Sequence, residues 1–272
     1  PYEFVIVNDS SPNAWALPGG KIAVNRGLLV ELESEAELAA VLGHEIVHAA
    51  ARHSAQGIER EMLMQGALTA VGVASRNTGY SDLVVGAAGL GANLVNQRYS
   101  REAELESDQF GMIYMRRAGY DPQAAVELQQ TFVRLSASRD QNWLAGLFAS
   151  HPPSRERVAA NKAMLVSLGD PGGELGEARY QQAIARLKRN RPAYKAYDEA
   201  QAALKKGDTK TALAKVNSAI RIEPAEAAFY SLRGEIEAAG KDDKAALRDL
   251  DKAVSLNPDY FRPLLVRGMT RR

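Results

Sequence analysis

The sequence predicts a mainly α chain with α+β character, in which a helical domain carrying a small β-sheet is followed by an α-solenoid. Three observations predict it. Apolar residues follow a capping box at helical spacing from residue 34, two β-rich stretches precede that helix, and small residues recur at a 34-residue interval beyond residue 193. With 272 residues and 46% hydrophobic content, the chain can fill two modest cores. The expected boundaries are a first domain over 1–168, a glycine-marked linker over 169–192, and repeats over 193–272, two of them full and a third incomplete.

Residues 3–7 (Glu-Phe-Val-Ile-Val) and 13–24, the latter interrupted by Pro18-Gly19-Gly20, read as strands around a tight turn. The first long helix starts at Ser34-Glu35-Ala36-Glu37, a capping box, and Leu38, Val41, Leu42 and Ile46 follow with helical spacing. It carries His44-Glu45-Ile46-Val47-His48. Two histidines four apart on a helix sit about 40° from alignment and roughly 6 Å apart, so both imidazoles can reach one ion. Glu45 lies about 100° around the helix, where a carboxylate can take a proton from a water whose pKa zinc has lowered to roughly 7. The other reading is a helix with two histidines on one face. Against it, the chain has only four histidines, and two fall where the chemistry needs them. His53, about 140° from the ligand face of a continuous helix, reads as structural.

Residues 62–96 are rich in Gly and Ala, with apolar stretches near 62–74 and 83–95. Each is shorter than the roughly 20 residues of a spanning helix, so no transmembrane segment is expected. Six glycines, at 66, 72, 79, 86, 89 and 91, make the segment either a mobile lid or plug over the metal or a set of closely packed helices.

A catalytic zinc needs a third protein ligand, and the chain has no cysteine to supply it. A second helix begins at Ser100 and continues through Phe110, Ile113 and Met115 to a stop at Gly119-Tyr120-Asp121-Pro122. Glu104 and Asp108 share one face of it, while Glu102 and Glu106 point elsewhere. The pairing suggests that Glu104 binds zinc and that Asp108, one turn on, accepts the free N–H of a ligand histidine. An acidic run is otherwise a solvated helix face, and the upstream HExxH favours the ligand reading.

The run Leu38-Ala39-Ala40-Val41-Leu42-Gly43-His44-Glu45-Ile46-Val47-His48-Ala49-Ala50-Ala51-Arg52-His53, followed by Ser100-Arg101 and Glu104-x-x-Ser107-Asp108, resembles the bacterial peptidases related to HtpX and the CAAX prenyl endopeptidases. Asn13-Ala14-Trp15-Ala16-Leu17-Pro18-Gly19-Gly20-Lys21-Ile22 and His151-Pro152 with Arg157 are also similar to that family, which together accounts for residues 3 to about 160. Ser107 stands where the family usually has Ala. The resemblance implies a gluzincin endopeptidase with one zinc per chain on His44, His48 and Glu104, and Glu45 as general base. It also implies a periplasmic protease of envelope quality control, acting on unfolded or misassembled proteins and associated with the outer-membrane assembly machinery. In membrane-anchored members the region corresponding to 62–96 can insert, so peripheral membrane contact is a further expectation.

His151 precedes Pro152-Pro153, which forbid helix there. A neutral imidazole near the metal would occupy the fourth position and block the water, whereas a displaced or protonated one would bind the oxyanion of the tetrahedral intermediate. A third reading is a loop histidine capping the helix that starts near Ser154. For substrate, an extended polypeptide can pair with an exposed strand edge near the metal, and Asn13 and Trp15 are the expected lining residues. An ordinary hairpin closing the core accounts for Trp15 equally well. The competing functional class is a chaperone or scaffold whose zinc site is latent, blocked by His151 or by the lid.

Beyond the linker, Ala200, Ala212, Val216, Ala219 and Pro224 recur as Gly234, Ala246, Leu250, Ala253 and Pro258, the tetratricopeptide period, with Gly268 a third mark. Such repeats bind peptides or partner proteins, so recruitment of substrate or of an assembly is the expected role. The third repeat is unfinished and Pro1 is not a natural start, so the native protein is expected to continue past residue 272 and any signal peptide to have been removed or left out. Net charge is +1, and the basic cluster Arg186, Lys188, Arg189 and Arg191 reads as a solvated helix end, so no nucleic acid is expected. The absence of cysteine excludes a disulfide scaffold and fits any compartment.

Overall fold

The computed structural model describes residues 2–59, 63, 99–136, 144–169 and 172–271. Apart from Leu63, residues 62–96 lie outside these, and with them the lid, plug and membrane-contact expectations. The chain divides into two compact units, Pro1–Ile184 and Ala185–Arg272.

The first unit opens with β1 (Glu3–Val7), β2 (Ala14–Leu17) and β3 (Lys21–Asn25), which form a sheet in the order β1-β3-β2. β2 and β3 pair antiparallel, with Ala14 opposite Val24, around a turn in which Gly19 and Gly20 take φ of 91° and 85°. Side chains rarely adopt that conformation, which explains the glycine pair. β1 joins the far side of β3 in parallel, with Glu3 opposite Lys21, so β2 remains an edge strand among the described residues. Ala14, Ala16, Ile22 and Val24 are buried, whereas Phe4, Val5 and Ile6 of β1 are mostly exposed.

After the short α1 (Arg26–Leu29), α2 (Glu35–Ala50) starts at the predicted cap. Ser34 Oγ accepts from the Glu37 N–H at 3.1 Å, and the Glu37 carboxylate accepts in return from the Glu33 N–H at 2.6 Å. The return bond lands one residue before the cap. α3 (Arg101–Arg117) is capped by Ser100 Oγ, which accepts from the Ala103 N–H. Its buried residues, Ala103, Glu104, Ser107, Asp108, Gly111, Met112 and Met115, form one stripe at i, i+3 and i+4. The two carboxylates are therefore buried because they share that stripe.

α2 and α3 pack against each other where Gly43 meets Gly111. A Cβ on Gly43 would lie 3.0 Å from the Gly111 carbonyl oxygen, and one on Gly111 would lie 3.1 Å from the His44 nitrogen. Both obstacles are backbone, so a side chain there must separate the helices. We expect Gly111→Ala to cost about 1–3 kcal/mol of stability, the usual toll of overpacking. The check is a lowered denaturant midpoint at unchanged slope, and an unaltered midpoint would show that the crossing opens freely.

The unit continues with α4 (Gln123–Ser136), α5 (Ala145–Ser150) and α6 (Arg155–Ser167), and α7 (Glu177–Arg189) runs across its end at Ile184. Ser154 caps α6 by accepting from the Arg157 N–H. His151 instead ends α5, its N–H donating to the Leu147 carbonyl at 2.8 Å, so the reading of His151 as the cap of the following helix is corrected. The division between units falls inside the expected linker 169–192, much of which is α7. Within the first unit, the Tyr180 hydroxyl on α7 donates to the Leu29 carbonyl at 2.7 Å.

The second unit contains α8 (Arg191–Lys205), α9 (Thr209–Ile222), α10 (Ala227–Ala239), α11 (Asp243–Leu256) and α12 (Phe261–Thr270), each packed on the next. α11 repeats α9 at an offset of 34 residues, down to the capping carboxylates Asp208 and Asp242. Ala200, Ala212, Val216 and Ala219 are fully buried, as are Ala246, Leu250 and Ala253. No helix among the described residues is long and apolar enough to cross a membrane.

Candidate metal centre

α2 brings the Nε2 atoms of His44 and His48 to 3.0 Å from each other. From α3, Glu104 places Oε1 at 3.2 Å from His48 Nε2 and Oε2 at 3.6 Å from His44 Nε2. His151 closes the group, its Nδ1 lying 3.0 Å from Glu104 Oε1 and 3.3 Å from His44 Nε2. One ligand atom from each of the four lies within 4.8 Å of every other. Donors bound at about 2.0–2.2 Å in a tetrahedron are about 3.4 Å apart, so the spacing suits a single ion.

Proton placement agrees. His44 Nδ1 lies 2.9 Å from Asp108 Oδ1, and the other sides of that carboxylate accept two 2.7 Å bonds from Arg157. With its acceptors committed, Asp108 takes the His44 Nδ1–H and leaves the Nε2 lone pair facing the group. Charge agrees too. With the imidazoles neutral, as metal binding requires, Glu45, Glu104 and Asp108 are buried with one guanidinium among the described residues, Arg157, which leaves a formal −2 that a divalent cation would cancel. Burial works against ionising Glu104, but His151 and His44 outweigh it and hold its pKa well below the usual carboxylate range. Burial likewise opposes protonation of His44, yet the Glu104 and Asp108 carboxylates prevail and raise its pKa to about 10. At His48 burial prevails and lowers the pKa to about 3. The field that draws a proton onto His44 is the field a cation would meet.

Glu45 is buried beside the group, with Oε1 at 3.4 Å from His151 Nε2 and Oε2 without a hydrogen-bond partner among the described residues. A largely apolar cavity of about 60 Å³ adjoins His44, Glu45 and His151, walled by Val41, Met112, Leu128, Phe132 and Leu147. Edge strand β2 reaches it through Ala14. Asn13 sits just before that strand, buried, its Oδ1 accepting from the Ala14 N–H at 3.0 Å, and Trp15 is half-buried at the opposite phase of the strand.

Three contributors were not read as such from sequence. Arg157 clamps Asp108, pairs with Glu104 Oε2 at 2.5 Å and donates to the Pro152 carbonyl at 3.3 Å, tying the His151 loop to the site. The family resemblance includes this residue, but no spacing rule links it to α3. Tyr99 lies over the His48 ring at 3.8 Å between centroids and shares a 2.9 Å hydrogen bond with Ser54. His53 is also buried against His48, with 3.0 Å between their Nδ1 atoms, although helical extrapolation puts it about 140° from the ligand face.

Residues 1–165 match the model of peptidase family M48. Over 159 residues the chain is 33% identical to mitochondrial metalloendopeptidase OMA1 of Arabidopsis thaliana, covering 57% of this chain and 30% of that one. It is 32% identical over 164 residues to the metalloprotease YcaL of Escherichia coli, covering 58% and 60% respectively. The E. coli beta-barrel assembly-enhancing protease is 29% identical over 168 residues, with 58% and 33% covered. The chain thus spans less than two thirds of the length of each of these relatives.

Proposed function

The chain belongs to peptidase family M48, and from that premise we propose that it is a zinc-dependent endopeptidase acting on unfolded or misassembled polypeptides. The observation that carries the reading is the convergence of His44, His48, Glu104 and His151 on one point with Glu45 beside it. His44, His48 and Glu104 hold one zinc per chain. When bound there, zinc supplies a Lewis acid that acidifies water to a pKa of about 7 and polarises a carbonyl.

The protein groups do the rest. Glu45 is the general base: its Oε2, which has no partner among the described residues, takes the proton of the attacking water and passes it to the leaving amine. Asp108, held by Arg157, keeps His44 in the tautomer that offers Nε2. Edge strand β2, with Asn13 and Trp15, aligns an extended substrate through main-chain bonds. The cavity takes an apolar side chain, which matches substrates that expose their cores.

In the second unit, the 34-residue repetition from α8 to α12 is that of tetratricopeptide repeats, which recruit substrate or a protein partner. By analogy with the beta-barrel assembly-enhancing proteases, the compartment is the periplasm and the partner belongs to outer-membrane assembly.

The position of His151 favours a second reading, a site that closes itself. Its Nδ1 faces the same point as the three ligands, so in this conformation it would compete with water for a bound zinc. We expect His151→Ala to keep zinc and to raise the rate of cleavage of an unfolded protein several-fold. Loss of turnover with zinc retained would assign the imidazole to the oxyanion instead, and unchanged turnover would leave it a structural role.

A further inference from the structure

We propose that His53 and Glu106 are positioning residues for His48, linked to it as Glu106–His53–His48. The inference rests on the reading of His48 as a zinc ligand. His53 Nδ1 lies 3.0 Å from His48 Nδ1, and His53 Nε2 lies 3.4 Å from Glu106 Oε2. His48 and His53 are both buried, and Glu106 is half-exposed at the rim.

The proton count along this line has one solution. Two ring nitrogens 3.0 Å apart cannot both carry a proton when the rings are neutral, so one donates and one accepts. His48 Nε2 faces Glu104 and His44 and must keep its lone pair to bind a metal, so Nδ1 carries the proton of His48. His53 Nδ1 is then the acceptor, the proton of His53 sits on Nε2, and that N–H points at the Glu106 carboxylate. The Ser107 hydroxyl is a second, weaker neighbour of His53 Nδ1 at 3.5 Å. α3 therefore serves both ligand histidines, His44 through Asp108 and His48 through Glu106 and His53.

The backbone is built for this contact. On a continuous helix His53 would point about 140° away from His48. α2 stops instead at Ala50, Arg52 takes φ of 59°, and helix resumes at His53. A positive φ is uncommon outside glycine. Here it returns His53 onto His48, whose ring is fixed from another side by Tyr99 at 3.8 Å.

The test is zinc affinity by competition with a chelator, on the intact chain, for wild type, His53→Phe, His53→Gln and Glu106→Gln. Phe keeps a ring but offers no acceptor, and Gln restores an acceptor oxygen. The expected result is a 10–100-fold weaker zinc affinity for His53→Phe, the usual loss when the partner of a ligand histidine is removed. His53→Gln should recover most of it, and Glu106→Gln should weaken binding by a smaller factor. Far-UV circular dichroism and thermal midpoint of the apo forms identify a variant that has simply unfolded. Should His53→Phe do so, the half-exposed Glu106→Gln still decides, read by zinc affinity and by the ¹⁵N shifts that report the His48 tautomer. Equal affinity in wild type and a folded His53→Phe overturns the proposal, as does a His53→Gln no better than His53→Phe. If wild type itself binds no zinc, the metal reading of His48 fails instead.

Discussion

Glu45→Gln should leave a folded, zinc-loaded protein that no longer cleaves, with turnover lower by about 10²–10⁴-fold, the usual contribution of a general base. The substitution is nearly isosteric, and Glu45 is 2% exposed, so packing is preserved. What changes is chemistry. One carboxylate oxygen lies 3.4 Å from His151 Nε2, and the other is buried with no hydrogen-bond partner among the described residues. Leaving a buried polar atom unpaired costs about 1–3 kcal/mol, a cost that makes sense where the atom is kept for a reacting group. An amide cannot take up the proton. Single-turnover cleavage of an unfolded protein, beside metal analysis of the same samples, is the measurement. Identical, absent cleavage in wild type and variant with zinc in both would favour a scaffold or chaperone with a latent site. Undiminished cleavage by the variant would place the base elsewhere.

Glu104→Ala should remove the metal and weaken the fold. The carboxylate lies against His48, His44, His151 and Arg157, and all five side chains are buried. Without it His44 and His48 remain of the assigned ligands, and even with the His151 imidazole as a third the site loses the carboxylate charge that offsets a divalent ion. Arg157 also loses one of its two carboxylates. Breaking one side of a buried charge network costs about 3–5 kcal/mol, and because Arg157 keeps its two bonds to Asp108, the lower end is expected. Glu104→Gln separates the effects, since it retains shape and loses charge. Zinc stoichiometry and denaturant midpoint report the two losses independently. Undiminished zinc affinity in Glu104→Ala would sink the ligand assignment.

The parts legible in the sequence are those fixed by local geometry. Ser34 and Glu37 announce α2, an i, i+4 pair places His44 beside His48, and the same rule puts Glu104 and Asp108 on one buried stripe of α3. The 34-residue recurrence marks the buried positions of the second unit, from Ala212 to Ala253. What escaped depends on where the chain leaves a regular path. Helical extrapolation sends His53 away from His48 because it assumes α2 continues, whereas a single left-handed residue, Arg52, brings it back. Glu106 points away from the Glu104 face, as expected, and so meets His53 instead of solvent alone. Arg157 and Tyr99 reach the site across more than forty residues of chain, and no periodicity encodes such a contact. β1 lies beside β3 and not beside its neighbour in sequence, a pairing choice that an apolar pattern does not contain.

The most direct measurement is an anomalous difference map collected on either side of the zinc absorption edge from crystals of the zinc-loaded protein. The expected result is one peak per chain, at about 2.0–2.2 Å from His44 Nε2, His48 Nε2 and a Glu104 carboxylate oxygen. No peak among these side chains, or a peak held by other residues, would contradict the metal centre and the peptidase reading built on it.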